Sequence, residues 1–223
     1  ALDIIFWEQS NDQSDDKLSN SIKNAKNVIA CMWNDSDGKM LIPYYKFSDY
    51  TASNWYCRTV VNKSNNITYS IYPFISLDWK HYEHFTTAIL RTYFSFIYND
   101  SKYLDSKIEE TEDYYLLWDK IQFLKSWNNR KDVMISFKNS DYFSKISFID
   151  VLNWNYDKDL VKDKIVVVWA TAKWIKDTFY TPIWIEYWVY THVNFLNTVL
   201  SKNFIKYLDL KYEYIIIFYF LFF

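Results

Sequence analysis

Hydrophobic and polar residues follow two different periods in the C-terminal third of the chain. Lys164–Val168 is a run rich in β-branched residues, which is typical of a buried parallel strand. From Val189 the apolar residues recur at spacings of four, three and four, as far as Leu200, which places them on one face of a helix. The pattern predicts a strand, a polar loop and then a helix between Ser147 and Phe204.

The spacing of apolar residues predicts further strands and helices upstream. The predicted strands are Leu2–Phe6, Asn27–Met32, Tyr56–Asn62, Ile67–Ile75, Ile121–Leu124 and Val133–Phe137, and the predicted helices are Lys17–Lys26, Glu83–Ile97 and Phe148–Leu152. A strand–helix–strand unit as short as the first one is normally parallel and right-handed. We therefore expect an α/β fold, with a mixed, mainly parallel sheet flanked by helices and Lys164–Val168 as a central strand.

Tryptophan and glycine occur in unusual numbers. The chain has 11 Trp and 1 Gly in 223 residues, and many of the tryptophans stand beside Asp or Asn, where turns normally use glycine. We interpret most of them as glycines in the cell, encoded by a UGA codon that the source reads as glycine. Such residues should lie in turns or at the ends of elements. The alternative is a truly Trp-rich protein, such as an aromatic-lined binding module.

With glycine at those positions, the stretch resembles a known sensor family. It reads as a strand ending V-G-A-T, then an Asp and a T-P-x-G segment, then G-V-x-x-H-x-N opening a helix. The matching positions are Val168, Trp169, Ala170, Thr171, Asp177, Thr181, Pro182, Trp184, Trp188, Val189, His192 and Asn194. This is similar to the second CHASE family, the type-two cyclase/histidine-kinase-associated sensing extracellular domain.

The resemblance implies a sensory rather than a catalytic chain. It implies a bacterial domain on the extracytoplasmic side of the cell membrane, periplasmic or extracellular, feeding an intracellular cyclase or kinase that this chain does not contain. It also implies a homodimer joined through membrane helices, and a small molecule or environmental condition as the signal. Residues 1–208 would be the sensor domain with its N-terminal part missing, and residues 209–223 the start of a truncated transmembrane helix.

The C-terminal segment supports either of two interpretations by composition alone. Tyr214–Phe223 is ten uncharged apolar or aromatic residues, and a membrane span needs about 20. Its β-branched and aromatic content would also suit a buried final strand. The resemblance favours the transmembrane helix.

Several polar residues are candidates for binding a signal. Asp177 follows the predicted strand, at the sheet edge where ligands of α/β proteins bind. The alternative is that Asp177 fixes the loop by bonding nearby backbone N–H groups. Asp3 within an apolar strand needs a partner if it is buried, and Glu8 has the same ambiguity. His192 lies beside the apolar face of its helix, where a hydrogen-bonded structural histidine is the alternative. The resemblance adds Thr171, Thr181 and Asn194.

Other chemistry is not indicated. The sequence contains no nucleophile elbow, phosphate-binding loop or HExxH motif, so we expect no cofactor, no metal and no catalytic residue. His81-Tyr-Glu-His84 offers a possible metal site, but we favour a solvated helix start. Cys31 and Cys57 have no metal spacing and either pair in an oxidising compartment or are simply buried. A net charge of −2 does not indicate the basic surface that nucleic-acid-binding proteins use.

Two other functions stay open. An α/β hydrolase would use Asp177 and His192 as an acid–base pair, and it requires both side chains within hydrogen-bond reach in a pocket. A membrane-anchored structural protein would have no pocket at the strand ends.

Overall fold

The computed structural model describes most of the chain. The described residues are 1–4, 9–34, 40–49, 51, 53–57, 59–62, 64–77, 80–104, 108–117, 121–126, 131–171, 177–206, 208 and 210–222. The helices are α1 (Asp12–Ala25), α2 (Tyr45–Ser48), α3 (Phe85–Tyr98), α4 (Phe148–Leu152), α5 (Val189–Leu200) and α6 (Leu210–Phe222). Short 3₁₀ helices lie at Ser101–Tyr103, Ser140–Tyr142 and Lys158–Leu160.

The strands are short. They are β1 (Ile29–Asn34), β2 (Met40–Leu41), β3 (Ser53–Tyr56), β4 (Val60–Val61), β5 (Thr68–Ile71), β6 (Phe74–Leu77), β7 (Lys80–Glu83), β8 (Ile108–Glu110), β9 (Tyr114–Leu117), β10 (Ile121–Leu124), β11 (Val133–Met134), β12 (Thr178–Tyr180) and β13 (Ile185–Tyr187). They form small sheets in the orders β2–β1–β3, β10–β9–β8 and β11–β5–β4, together with the pairs β6–β7 and β12–β13.

The expectation of a mainly parallel sheet is wrong. Among the described strands only β1 and β3 pair in parallel, and every other named pair is antiparallel. The physical reason is the length of the connections. Consecutive strands such as β6 and β7 are joined by a few residues, which suffices for a hairpin, whereas a parallel pair needs a crossover of a dozen or more.

Parallel contacts occur at single bridges around β1. Leu2 lies between Ala30 and Val168 and is parallel to both, and Tyr56 at the end of β3 is parallel to His84. Because α1 connects Leu2 to β1, the predicted parallel strand–helix–strand relation is present there. These bridges bring distant parts of the chain together along β1 and β3.

Lys164–Val168 is not a central strand. Its residues lie outside the named strands, and Val168 alone makes a bridge, to Leu2. Val166 is 42% exposed, so this β-branched run is only partly covered. Its composition suited a buried strand, but a run of that kind also occurs along a half-covered segment.

The core lies between α3, α5 and the strand faces. It contains Phe85, Ile89 and Leu90 of α3 and Phe195, Leu196 and Val199 of α5, packed with Ile71, Tyr115, Leu117, Phe123 and Val133. The helix predicted from Val189 is confirmed, and Val189 and Leu196 of its apolar face are buried, but Leu200 of that face is 44% exposed. Phe96 of α3 is 60% exposed because the last turn of the helix extends beyond the core.

The apolar C-terminal segment forms α6, and its side chains from Tyr214 to Leu221 are exposed. Thirteen helical residues rise about 20 Å, against about 30 Å for the apolar part of a bilayer. Within the described residues, no helix has the length and apolarity needed to cross a membrane. The prediction that a transmembrane helix begins here is therefore corrected.

The described tryptophans occupy several kinds of position. Trp154 has φ 56° and is 75% exposed, and Trp184 lies 74% exposed before β13, as expected of turn positions. Trp33 and Trp55 instead lie within β1 and β3. Trp7, Trp79, Trp118, Trp127 and Trp174 are outside the described residues. The glycine interpretation stays a prediction, which mass spectrometry of the native protein decides.

A buried ion pair connects β7 to α3. The Arg91 guanidinium donates to both carboxylate oxygens of Glu83, through Nε to Oε2 at 2.8 Å and through Nη2 to Oε1. Both side chains are 9% exposed. Removing one partner of a buried ion pair leaves an uncompensated charge, whereas exposed pairs contribute little.

We predict that Arg91→Met lowers the free energy of unfolding by about 3–5 kcal/mol. The matched control is Lys145→Met, which breaks the exposed Lys145–Asp141 pair and should change stability by about 1 kcal/mol or less. Urea unfolding followed by circular dichroism measures both. Equal, small losses for the two variants would contradict the role given to the Glu83–Arg91 pair.

Candidate functional site

His192 is the centre of the candidate site. It lies in the second turn of α5 and is 0% exposed. Its ring is 5.3 Å from that of His84, 5.4 Å from Phe85 and 5.6 Å from Trp188, measured between ring centroids. Neither ring nitrogen has a hydrogen-bond partner among the described residues. Burial lowers the pKa of His192 to about 3, so the imidazole is neutral at physiological pH.

Asp3 faces the same place from the N-terminal segment. Its backbone N–H donates to Val168 at 2.9 Å, which fixes the residue directly after the Leu2 bridges. Its Oδ1 is 4.0 Å from Nε2 of His192, and its Oδ2 has no partner among the described atoms. Burial, and then the charge of Asp177, raise the pKa of Asp3 to about 7.

Asp177 borders this pair. Its backbone carbonyl accepts from the N–H of Trp188 at 3.0 Å, which ties the residue before β12 to the start of α5. Partial burial raises the pKa of Asp177. His192 makes no hydrogen bond to it, so the acid–base pair that a hydrolase would require is not formed.

Two buried side chains complete the surroundings of His192. His84 caps α3, where Nδ1 accepts from the N–H of Thr86 at 3.2 Å. Cys57, one residue beyond β3, is bonded to Cys31 of β1. A sulfur of Cys57, a carboxylate oxygen of Asp3 and a ring nitrogen of His192 all lie within 4.8 Å of one another. We call Asp3, Cys57 and His192 the buried cluster.

The remaining predicted site residues are not in the buried cluster. Asn194 accepts from the N–H of Lys138 at 2.6 Å and donates to its carbonyl at 3.2 Å, which is a structural role. Thr181 donates to the carbonyl of Trp184 at 2.6 Å and so closes a turn. Thr171 is exposed. Glu8 lies outside the described residues.

Sequence reasoning missed His84 and Cys57. The stretch around His84 was interpreted as a solvated helix start, but His84 is 0% exposed because the first turn of α3 enters the core. Cys57 was expected to be paired or merely buried, and the structure shows the pair. The available signal was weak: a histidine directly before an apolar helix, and a cysteine in an apolar segment.

The buried cluster can accept a cation or a hydrogen-bond donor. A neutral imidazole with an unused lone pair and a carboxyl group with an unused oxygen are acceptors at this position. The structure also has a groove of about 560 Å³ along α5 and one of about 310 Å³ near Ile29, and neither is lined by a residue of the buried cluster. A ligand that reached the cluster itself would be small.

Comparison with known proteins identifies the family. A model of the CHASE2 domain matches residues 1–223, and the chain belongs to that family. CHASE2 domains are extracellular sensory domains of signalling receptors rather than catalytic domains. No match was found among the curated proteins or the solved structures.

The pKa of Asp3 is raised and that of His192 is lowered, and both shifts make the free energy of unfolding depend on pH. Asp3 holds its proton in the folded state up to about pH 7, whereas the unfolded chain loses it near pH 3.8. The stability that the protonated Asp3 side chain contributes below pH 3.8 is therefore lost as the pH rises to about 7. His192 acts oppositely, because its contribution is present above pH 6.5 and is lost as the pH falls toward about 3.

We predict that Asp3→Asn gains stability relative to wild type between about pH 4 and 7, by up to about 1.4 kcal/mol per pH unit. Urea unfolding at several pH values, with a chelator present and the disulfide intact, measures the difference. Asp141→Asn is the control, since it removes an exposed carboxylate. The burial of Asp3 would be refuted if the stability difference between Asp3→Asn and wild type did not change with pH, or if Asp141→Asn showed the same change.

Proposed function

We propose that this chain is the extracytoplasmic sensory domain of a membrane-bound signal-transduction receptor. Its output domain lies in the cell and outside this chain. The buried cluster is where the signal acts, and the receptor works as a homodimer, as the resemblance implies. Membership of the CHASE2 family supports the sensory role, and the geometry around His192 supports the location of the signal.

The single observation that carries the proposal is that His192 and Asp3 are buried with unused polar atoms. A buried polar group without a partner costs about 1–3 kcal/mol of stability. Two other buried polar groups of α5 avoid this cost: Asn194 bonds Lys138, and the hydroxyl of Thr198 accepts from the N–H of Ser136 at 2.9 Å. The hydroxyl of Thr191, beside His192, has no partner among the described residues either. His192 and Asp3 lack the hydrogen-bond partners that Asn194 and Thr198 have. This difference supports a binding role for His192 and Asp3.

The helix α5 is suited to report a change at the buried cluster. It carries His192 on one side and is tied on another, through Asn194 and Thr198, to the extended segment at residues 136–138. A single bridge between Met134 and Ile205 then joins this segment to the chain that follows α5. A ligand that binds one of two packing arrangements of α5 more tightly would shift the population between them.

The disulfide agrees with an extracytoplasmic location. Cys31 and Cys57 are bonded, and disulfides persist mainly in oxidising compartments. The exposed apolar surface of α6 has no assigned role in this proposal.

The prediction concerns the intact receptor in cells. Asp3→Asn and His192→Gln should each change the basal activity of the output domain by about fivefold or more, because each alters the balance between two packing states. The activity is measured per amount of receptor, which is determined by immunoblotting. Asp141→Asn should give wild-type output, since this exposed carboxylate pairs with Lys145 and lies outside the buried cluster.

Wild-type output from both cluster variants, at wild-type amounts of folded receptor, would overturn the proposed signal site. An output change of the same size in Asp141→Asn would show that the effect is unspecific.

A further inference from the structure

We infer that the buried cluster becomes a zinc site when the Cys31–Cys57 disulfide is reduced, with Cys57, His192 and Asp3 as the protein ligands. The disulfide and the metal are then alternative states of the same place in the fold. The binding claim stands on its own chemistry. A role for zinc and thiol redox state as the signal rests on the proposed sensory function.

The types of ligand suit a borderline divalent cation. Thiolate, imidazole and carboxylate are the three groups with which proteins hold Zn²⁺, and three protein ligands leave a fourth tetrahedral position for water. The two negative charges of thiolate and carboxylate balance the charge of the cation, and the imidazole is neutral. The whole site can therefore be buried without a net charge.

The distances are close to those of a metal site. Zinc–ligand bonds of about 2.0–2.3 Å place tetrahedral ligand atoms about 3.5 Å apart. The three ligand atoms lie within 4.8 Å of one another, and Asp3 Oδ1 is 4.0 Å from His192 Nε2. Each pair of ligand atoms must approach by about 1.3 Å or less, which side-chain rotation can supply.

The ligand atoms of His192 and Asp3 are available. Both ring nitrogens of His192 and Oδ2 of Asp3 make no hydrogen bond among the described residues, and His192 is 0% exposed. Cys57 is also 0% exposed, so the position is shielded from bulk water. The three residues are held by separate elements, namely the Leu2 bridges, the end of β3, and α5.

Reduction supplies the third ligand. In the oxidised protein the sulfur of Cys57 is bonded to Cys31 and is not a thiolate. A dithiol reductant passes two electrons to this bond, which breaks; each cysteine sulfur gains a proton, and the dithiol closes its own disulfide. Zinc then displaces the proton of Cys57 as the thiolate binds.

Two single variants separate the loss of the disulfide from the loss of the ligand. The chain has two cysteines, so Cys31→Ser and Cys57→Ser both abolish the disulfide and each retains one thiol. Only Cys31→Ser keeps the proposed ligand, and it needs no reductant. Matched stability of the two variants is checked by circular dichroism.

The experiment titrates the full 223-residue chain with Zn²⁺ against a chromophoric chelator and with Co²⁺ by absorption spectroscopy. We expect Cys31→Ser to bind Zn²⁺ at least about tenfold more tightly than Cys57→Ser, and to show a thiolate-to-cobalt charge-transfer band that Cys57→Ser lacks. Adding His192→Gln or Asp3→Asn to Cys31→Ser should weaken binding by at least about tenfold.

Equal affinity of the two cysteine variants, or no charge-transfer band in Cys31→Ser, overturns the inference. If Cys31→Ser does not fold, wild-type protein that has been reduced with a dithiol and then freed of it by anaerobic gel filtration decides: the band supports the site, and its absence overturns it. Failure of zinc binding leaves the proposed sensory function intact. Normal zinc binding with unchanged receptor output in cluster variants would instead contradict the proposed function alone.

Discussion

The fold depends on the burial of α5, a helix that carries polar as well as apolar side chains into the core. Phe195, Leu196 and Val199 supply the apolar contacts. Thr191, His192, Asn194 and Thr198 are buried with them, each at 1% exposure or less. A helix buried on so many sides is stable only if its polar groups find partners or have another reason to be there.

The neighbouring backbone meets this requirement for Asn194 and Thr198, whereas the side chains of Thr191 and His192 have no partner among the described residues. Asn194 pairs with both backbone groups of Lys138, and its amide also donates to the carbonyl of Tyr190 at 2.8 Å. Thr198 donates to the carbonyl of Asn194 at 2.8 Å while accepting from Ser136. These bonds fix the rotation of α5, and that rotation directs His192 toward Asp3 and Cys57. The structural and the candidate functional roles of α5 therefore depend on one another.

Local patterns in the sequence predicted those parts of the structure that local forces determine. The spacing after Val189 predicted α5. A local contact also begins α1, where Asn11 accepts from the N–H of Ser14 at 2.9 Å. The direction of strand pairing was not predictable in this way. The run Lys164–Val168 has the composition of a central strand, but composition does not determine which segments lie beside it.

The candidate site was predicted in part. Asp3 and His192 were recognised because a carboxylate in an apolar strand and a histidine beside an apolar helix face each need a partner. Their proximity could not be read from the sequence, because 189 positions separate them and no motif spans that distance. Cys57 joins them through the pairing of β1 with β3, which is again a tertiary contact. Thr181 and Asn194 carry the family pattern and make hydrogen bonds within the fold, and a ligand-binding role for them stays a prediction.

The central claim is that His192 is buried and neutral, with both ring nitrogens unused. The most direct measurement is the ¹⁵N NMR spectrum of its imidazole in the metal-free, oxidised protein, recorded as a function of pH and assigned with His192→Gln. The account predicts a neutral ring at pH 5, because burial lowers the pKa of His192 to about 3. A ring that becomes protonated near pH 6.5, as an exposed histidine does, would contradict it.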